Sequence, residues 1–129
     1  MRAHELMRTD IVTIQEDASV SQLCDLLQVA HVNGLPVLNE DGDLVGIVTE
    51  EDVLYGTMGA GEAGGDMRVK DIMTSPAVCA TGDTDVIELC KLMWGMRIHH
   101  VPILVEGRVK GVVSALDIVR TVSEGDLGS

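Results

Sequence analysis

The chain has 129 residues, and 46 % of them are hydrophobic, with a mean hydropathy of +0.24; that is enough for one ordinary domain, or two very small ones sharing a core, and it favours a packed globule over a disordered chain. The net charge is −12, with no Phe, one Trp and one Tyr, so phosphate neutralisation and base stacking are both poorly served and a nucleic-acid partner is not expected. No apolar run approaches the ~18 residues of a bilayer span, the first ten residues lack the apolar centre of a signal peptide, and Cys24, Cys79 and Cys90 are too few and too scattered for a disulfide framework or a zinc site. A reducing cytoplasm is the expected setting, with no membrane partner and no metal.

In chain order, a short extended piece is predicted at 11–14. A helix follows from Ser19, with Gln22 three residues on as a capping box, and Val20, Leu23, Cys24 and Leu27 fall on one face at 3, 4 spacing. A strand at 35–38, a turn through Asp41-Gly42 and a second strand at 44–48 read as a hairpin. A closing helix is predicted over 50–56. Residues 56–66, GTMGAGEAGGD, read as a flexible glycine-rich loop. The same series then returns: an extended piece at 77–80, a helix from Asp85 with Glu88 three on, an apolar face of Val86, Leu89, Cys90 and Met93, strands at 101–105 and 109–113 around Glu106-Gly107, and a helix over 115–122.

The repetition is visible in the residues themselves. MRTDIVTIQEDASVSQLCDLLQVAHVNGLPVL, 7–38, lies over MTSPAVCATGDTDVIELCKLMWGMRIHHVPIL, 73–104, without a gap at an offset of 66. After a one-residue deletion in the turn, GDLVGIVTEEDVL, 42–54, falls on GRVKGVVSALDIV, 107–119. The unit is β-α-β-β-α, written twice, which makes the chain a tandem repeat. Charge is not repeated with it. Residues 1–66 hold 2 basic and 13 acidic residues, and 67–129 hold 7 and 8, so an anionic ligand is better tolerated by the second copy.

Pro-Val or Pro-Ile ahead of a hairpin, followed by G-h-V-[ST]-x-x-D-h-h (h, an apolar residue), in two copies in register over 6–122, resembles the cystathionine-beta-synthase (CBS) domain pair. The resemblance implies an α/β (α+β) fold of two repeats, 6–56 and 71–122, joined by a glycine-rich linker over 57–70 and packed as one pseudo-twofold module. It implies a sensory module and no enzyme. The ligand would be an adenosine-containing nucleotide such as AMP, ADP, ATP or S-adenosylmethionine, held in a cleft between the repeats, in a protein that forms homodimers and regulates a partner the sequence does not identify. The alternative, from a different class, is a purely structural dimerisation module with degenerate, empty clefts. No cofactor and no catalytic constellation is expected, because no nucleophile stands at spacing from a base.

Two roles are open for Thr49-x-x-Asp52 and Ser114-x-x-Asp117. Both pairs suit helix caps, hydroxyl at the N-cap and acid at N3. By the resemblance, the hydroxyl would also meet a phosphate at the helix N-terminus and the aspartate a ribose. What separates the copies lies just before the prolines: Asn33 and Gly34 in copy one, His99 and His100 in copy two. In the family, cationic residues at these positions reach the phosphates, so the resemblance implies that copy two supplies the better site, Ser114, Asp117, His99 and His100, completed by Arg8, Thr9, Asp10 and Val12 at the start of copy one. The weaker second site would hold Thr49, Asp52, Asn33, Gly34, Thr74 and Val78. Val12, Ile98 and Val112 are candidate walls for an adenine. Cys24 and Cys90 are expected as small core hydrophobes, Cys79 as buried, and Trp94 with Met93 and Met96 as an interface.

Overall fold

A computed structural model describes residues 1–125. The elements are α1 (Ala3–Leu6), β1 (Ile14–Gln15), α2 (Val20–Ala30), β2 (Gly34–Leu38), β3 (Leu44–Thr49), α3 (Glu50–Gly56), a 3-10 helix (Gly61–Asp66), α4 (Val69–Ile72), β4 (Ala80–Thr81), α5 (Val86–Met96), β5 (His100–Val105), β6 (Arg108–Ser114) and α6 (Ala115–Ser123). Two three-stranded sheets result, ordered β1-β2-β3 and β4-β5-β6. In each, the first pair is parallel and the second antiparallel. The fold is mixed α/β, with the β-α-β-β-α series present twice.

The prolines fit the strands for a specific reason. Pro36 pairs with Ile47, whose own N–H and C=O bond outward to Thr74, so the position where Pro36 lacks a donor points toward β1. There β1 reaches only Val37 and Leu38, and no ladder bond is lost. Pro102 repeats the arrangement opposite Val112, whose backbone bonds Arg8, while β4 reaches only Ile103 and Leu104.

The chain divides into two compact units. One joins Met1–Ile11 to the chain from Val78 on; the other is Val12–Ala77. Each has its own apolar core. The first is built on Ala3, Val86, Leu89, Met93, Val101, Ile103 and Val113, the second on Ile14, Val20, Leu23, Leu35, Val37, Val48 and Val69 among others. Thus the segment before each repeat is built into the other repeat's core. Its anchor is a single helical turn, α1 or α4, with fully buried Ala3 or Val69. In each turn a carboxylate three residues on accepts the entering backbone N–H, Arg2 to Glu5 and Arg68 to Asp71, both at 2.8 Å. The Arg side chains then donate to the carbonyls of Asp83 (3.1 Å) and Asp17 (3.2 Å).

Several expectations are corrected. The extended pieces shrink to two residues each, beginning three positions later than 11–14 and 77–80 do. The α2 capping box forms, Ser19 Oγ accepting from Gln22 N and Gln22 Oε1 from Ser19 N. At α5, Asp85 instead accepts from Ile87 N at 2.8 Å, because its short carboxylate reaches N2 and Glu88 turns to Lys91. The glycine-rich segment is partly helical: its 3-10 turn packs on α2, with Gly65 against Ser21. Cys79 is exposed, since it stands one residue ahead of β4, outside the alternation that would bury it. Cys24 and Cys90 are half-buried against the two cores, and burial is the main cause that pushes the Cys90 thiol above its ordinary value.

Gly95 lies inside α5, and a Cβ there would meet nothing within 4 Å. Gly95→Ala is therefore expected to stabilise the protein by about 0.5–1 kcal/mol through helix propensity alone. A melting temperature that falls would count against this reading.

Candidate ligand-binding site

Strand β6 ends at Ser114 and α6 begins at Ala115, because the Ser114 hydroxyl caps the new helix: it accepts from Asp117 N at 3.2 Å. The Asp117 carboxylate closes back on the cap. Its Oδ2 accepts from Ser114 N and from Ser114 Oγ, both at 2.9 Å. Asp117 is only 8 % exposed, and a carboxylate so buried needs a counter-charge. Two guanidiniums face its other oxygen, Arg8 Nε at 3.3 Å and Arg120 Nη1 at 3.8 Å, each on a half-exposed side chain. Arg8 is held there by its backbone, which exchanges hydrogen bonds with Val112 at 3.0 and 3.1 Å.

The remaining copy-two residues border this corner. His100 pairs with Ser114 across the β5–β6 ladder, and the His99 carbonyl accepts from Ala115 N at 2.8 Å. Thr9 and Asp10 are exposed on the segment after Arg8. Ile98 packs against the core of this unit, and Val112 is half-buried. Val12 packs with the apolar core of the other unit. The structure thus brings together Ser114, Asp117, Arg8, His100 and His99 within one unit. It adds Arg120, which helical spacing from Asp117, three residues on, brings to the carboxylate.

Copy one has the same cap with less around it. Asp52 Oδ2 accepts from Thr49 N at 2.8 Å and Thr49 Oγ1 at 3.1 Å. Glu50 N donates to the Asn33 carbonyl at 2.9 Å, and Thr74 exchanges backbone bonds with Ile47 as Arg8 does with Val112. The residues at the positions of Arg8 and Arg120 are Thr74 and Tyr55, and Asp52 meets no cation among the described residues. Gly34 opens β2, and Val78 is half-buried at the start of the other unit. Among the described residues there is no grouping of three or more His, Cys, Asp or Glu side chains fit to hold a metal, and no helix is long and apolar enough to cross a membrane.

Burial, and next the neighbouring His99, push the His100 imidazole below its ordinary value of 6.5, with Asp117 opposing. The folded state therefore resists protonating His100. Its contribution to stability is present above about pH 6.5 and is lost as pH falls below that, toward the depressed folded value. Melting curves between pH 7.5 and 5 should show this loss, and His100→Gln should reduce it; an unchanged slope in the variant would assign the loss elsewhere.

The CBS domain model matches residues 3–58 and 69–124, and the chain belongs to this family as a tandem pair. The inosine-5'-monophosphate dehydrogenase of Methanocaldococcus jannaschii is 32 % identical over 122 residues, which is 92 % of this chain and 23 % of that enzyme. The chain thus spans under a quarter of that relative. Among solved structures, the CBS-domain containing protein ATU1752 from Agrobacterium tumefaciens superposes with a TM-score of 0.85 at 28 % identity, over 94 % of this chain and 92 % of that one. The CBS domain pair of protein MJ0100, in complex with 5′-methylthioadenosine and S-adenosyl-L-methionine, superposes with a TM-score of 0.87 at 25 % identity, over 97 % and 98 %.

Proposed function

We propose that this CBS pair is a sensor that binds an adenosine-containing ligand at the Ser114–Asp117 corner and controls a partner through that occupancy, with no chemistry of its own. The observation that carries the reading is the near-buried Asp117 carboxylate at the start of α6, beside a hydroxyl and two guanidiniums. A carboxylate accepts ribose hydroxyls, and a helix N-terminus with arginines beside it suits a phosphate. The adenosine ligands of the MJ0100 pair support the ligand class. The test is a melting-temperature screen against AMP, ADP, ATP, NAD and S-adenosylmethionine. A ligand at about 100 times its Kd adds roughly 2.7 kcal/mol, several degrees for a chain of this size. No shift with any of them at millimolar concentration would leave the structural dimerisation module as the better reading.

The same reading includes a homodimer in a cytoplasmic setting. Trp94 is 72 % exposed on α5, with the Arg97 guanidinium 4.4 Å from its ring centroid, and Met96 and Ile87 are exposed on the same helix. Leu116, Val119 and Val122 form an exposed apolar row on α6. Apolar helix faces of this kind, anchored by a Trp, suit an interface. Trp94→Asp should shift the mass measured by light scattering at tens of micromolar from dimer toward monomer, with little change in melting of the subunit. A wild-type chain that is already monomeric would remove the dimer.

A further inference from the structure

The two repeats differ in charge at the helical positions they expose. Asp25 is the middle residue of α2 and Lys91 the middle residue of α5, and the offset of 66 sets one over the other. Each stands in an exposed row at helical spacing, Ser21, Asp25 and Gln28 on α2 and Ile87, Lys91 and Trp94 on α5. On the closing helices, Tyr55 of α3 stands where α6 has Arg120, and Glu51 where it has Leu116, all four exposed. By unit, Val12–Ala77 holds 12 acidic and 2 basic residues, and the rest of the chain 9 and 7. Resting on the homodimer proposed above, we propose that the second copy docks crosswise: the α5–α6 face of one chain lies against the α2–α3 face of the other, and not like on like.

Apolar burial does not choose between the two arrangements, because it is non-directional and both repeats expose apolar side chains, Ile87, Trp94 and Val119 in one, Val29 and Leu54 in the other. Charge does choose. Like on like sets Asp25 against Asp25, Lys91 against Lys91, Glu51 against Glu51, and the unit with 12 acidic residues against itself. Like charges brought together across an interface count against that partner, and opposite charges favour it. Crosswise docking brings Asp25 to Lys91. Both helices run for eleven residues with these two at their centres, so helices packed centre on centre oppose them whichever way the axes run. The same arrangement offers Arg120 a carboxylate, Glu51, and a ring face, Tyr55. Lys91 is able to turn to such a partner, since its contact with Glu88 is 3.6 Å between two largely exposed side chains.

Charge reversal tests the arrangement. The dimer dissociation constant is measured by light scattering and by the emission of Trp94 on dilution for the wild-type chain, Asp25→Lys, Lys91→Glu and the double variant that carries both changes. Crosswise docking turns an attraction into a repulsion in each single variant, which should weaken the dimer by about threefold to tenfold. The double variant restores opposite signs and should return to within about twofold of the wild-type value. Like-on-like docking makes a different forecast, because each single variant then only exchanges one like-charged pair for another. Single variants that dimerise as the wild-type chain does would overturn the crosswise arrangement and leave the homodimer standing. Weakened single variants with no recovery in the double variant would also overturn it, since the two residues would then not face each other. Should a reversal unfold the chain, Asp25→Asn and Lys91→Gln carry the same comparison with smaller changes. A wild-type chain that stays monomeric at tens of micromolar removes the homodimer itself, an outcome distinct from the other two.

Discussion

Asp117→Ala should weaken binding of AMP or ATP by about tenfold to a hundredfold, the most any single side chain of the site is expected to cost. The ribose bonds lost go to a charged acceptor and are worth about 1.5–3 kcal/mol. The variant also loses the Asp117 part of the α6 cap, two bonds from Ser114, at about 1 kcal/mol of stability. Binding should therefore be measured well below the melting temperature. Asp52→Ala removes the equivalent cap bonds from α3, so it makes a matched control for stability. It should change nucleotide affinity much less, because among the described residues no guanidinium accompanies Asp52, and its unit, Val12–Ala77, carries 12 acidic and 2 basic residues. Calorimetry on both variants separates the copies. Loss of binding in Asp52→Ala, with Asp117→Ala intact, would move the site to copy one and discard the charge argument.

The β-α-β-β-α order, both hairpins and the α2 cap were legible because each rests on local rules: period, turn residues and hydroxyl-to-amide spacing. The capping geometry of Thr49–Asp52 and Ser114–Asp117 was legible for the same reason. Less visible were the anchoring turns α1 and α4. They are too short for a helical period to register, and what holds them is long-range: burial of Ala3 and Val69, and the Arg side chains on Asp83 and Asp17. A signal was nonetheless present. MRAHELM, 1–7, stands over MRVKDIM, 67–73, at the same offset of 66 that relates the repeats. Cys79 misled for a related reason, since a strand of two residues offers almost no alternation from which to read a face. The asymmetry at the site shows only when Thr74 and Tyr55 are set in the places of Arg8 and Arg120. That comparison needs the fold, because the arginines come from opposite ends of the chain.

Gly111→Val is expected to destabilise the protein by about 3 kcal/mol and to damage ligand binding with it. A Cβ at Gly111 would stand 2.5 Å from Met7 Sδ and 2.8 Å from the Arg8 carbonyl oxygen. The sulfur could move, but the carbonyl accepts from Val112 N and belongs to the segment that carries Arg8. Overpacking against backbone costs about 1–3 kcal/mol or more, which for this length corresponds to a fall in Tm of roughly ten degrees. Gly46→Val presents the same problem in the other unit, with Met73 Sδ and the Thr74 carbonyl oxygen both at 2.8 Å. The two variants should therefore melt at similar temperatures. They should differ in function, because pushing away the Arg8 backbone disturbs the partner of Asp117, whereas pushing away Thr74 disturbs no charged group of the site. Paired melting curves and nucleotide titrations at low temperature read both effects. Equal affinities in the two variants would mean that the position of the Arg8 segment does not matter to the ligand, and would count against placing the site at Asp117.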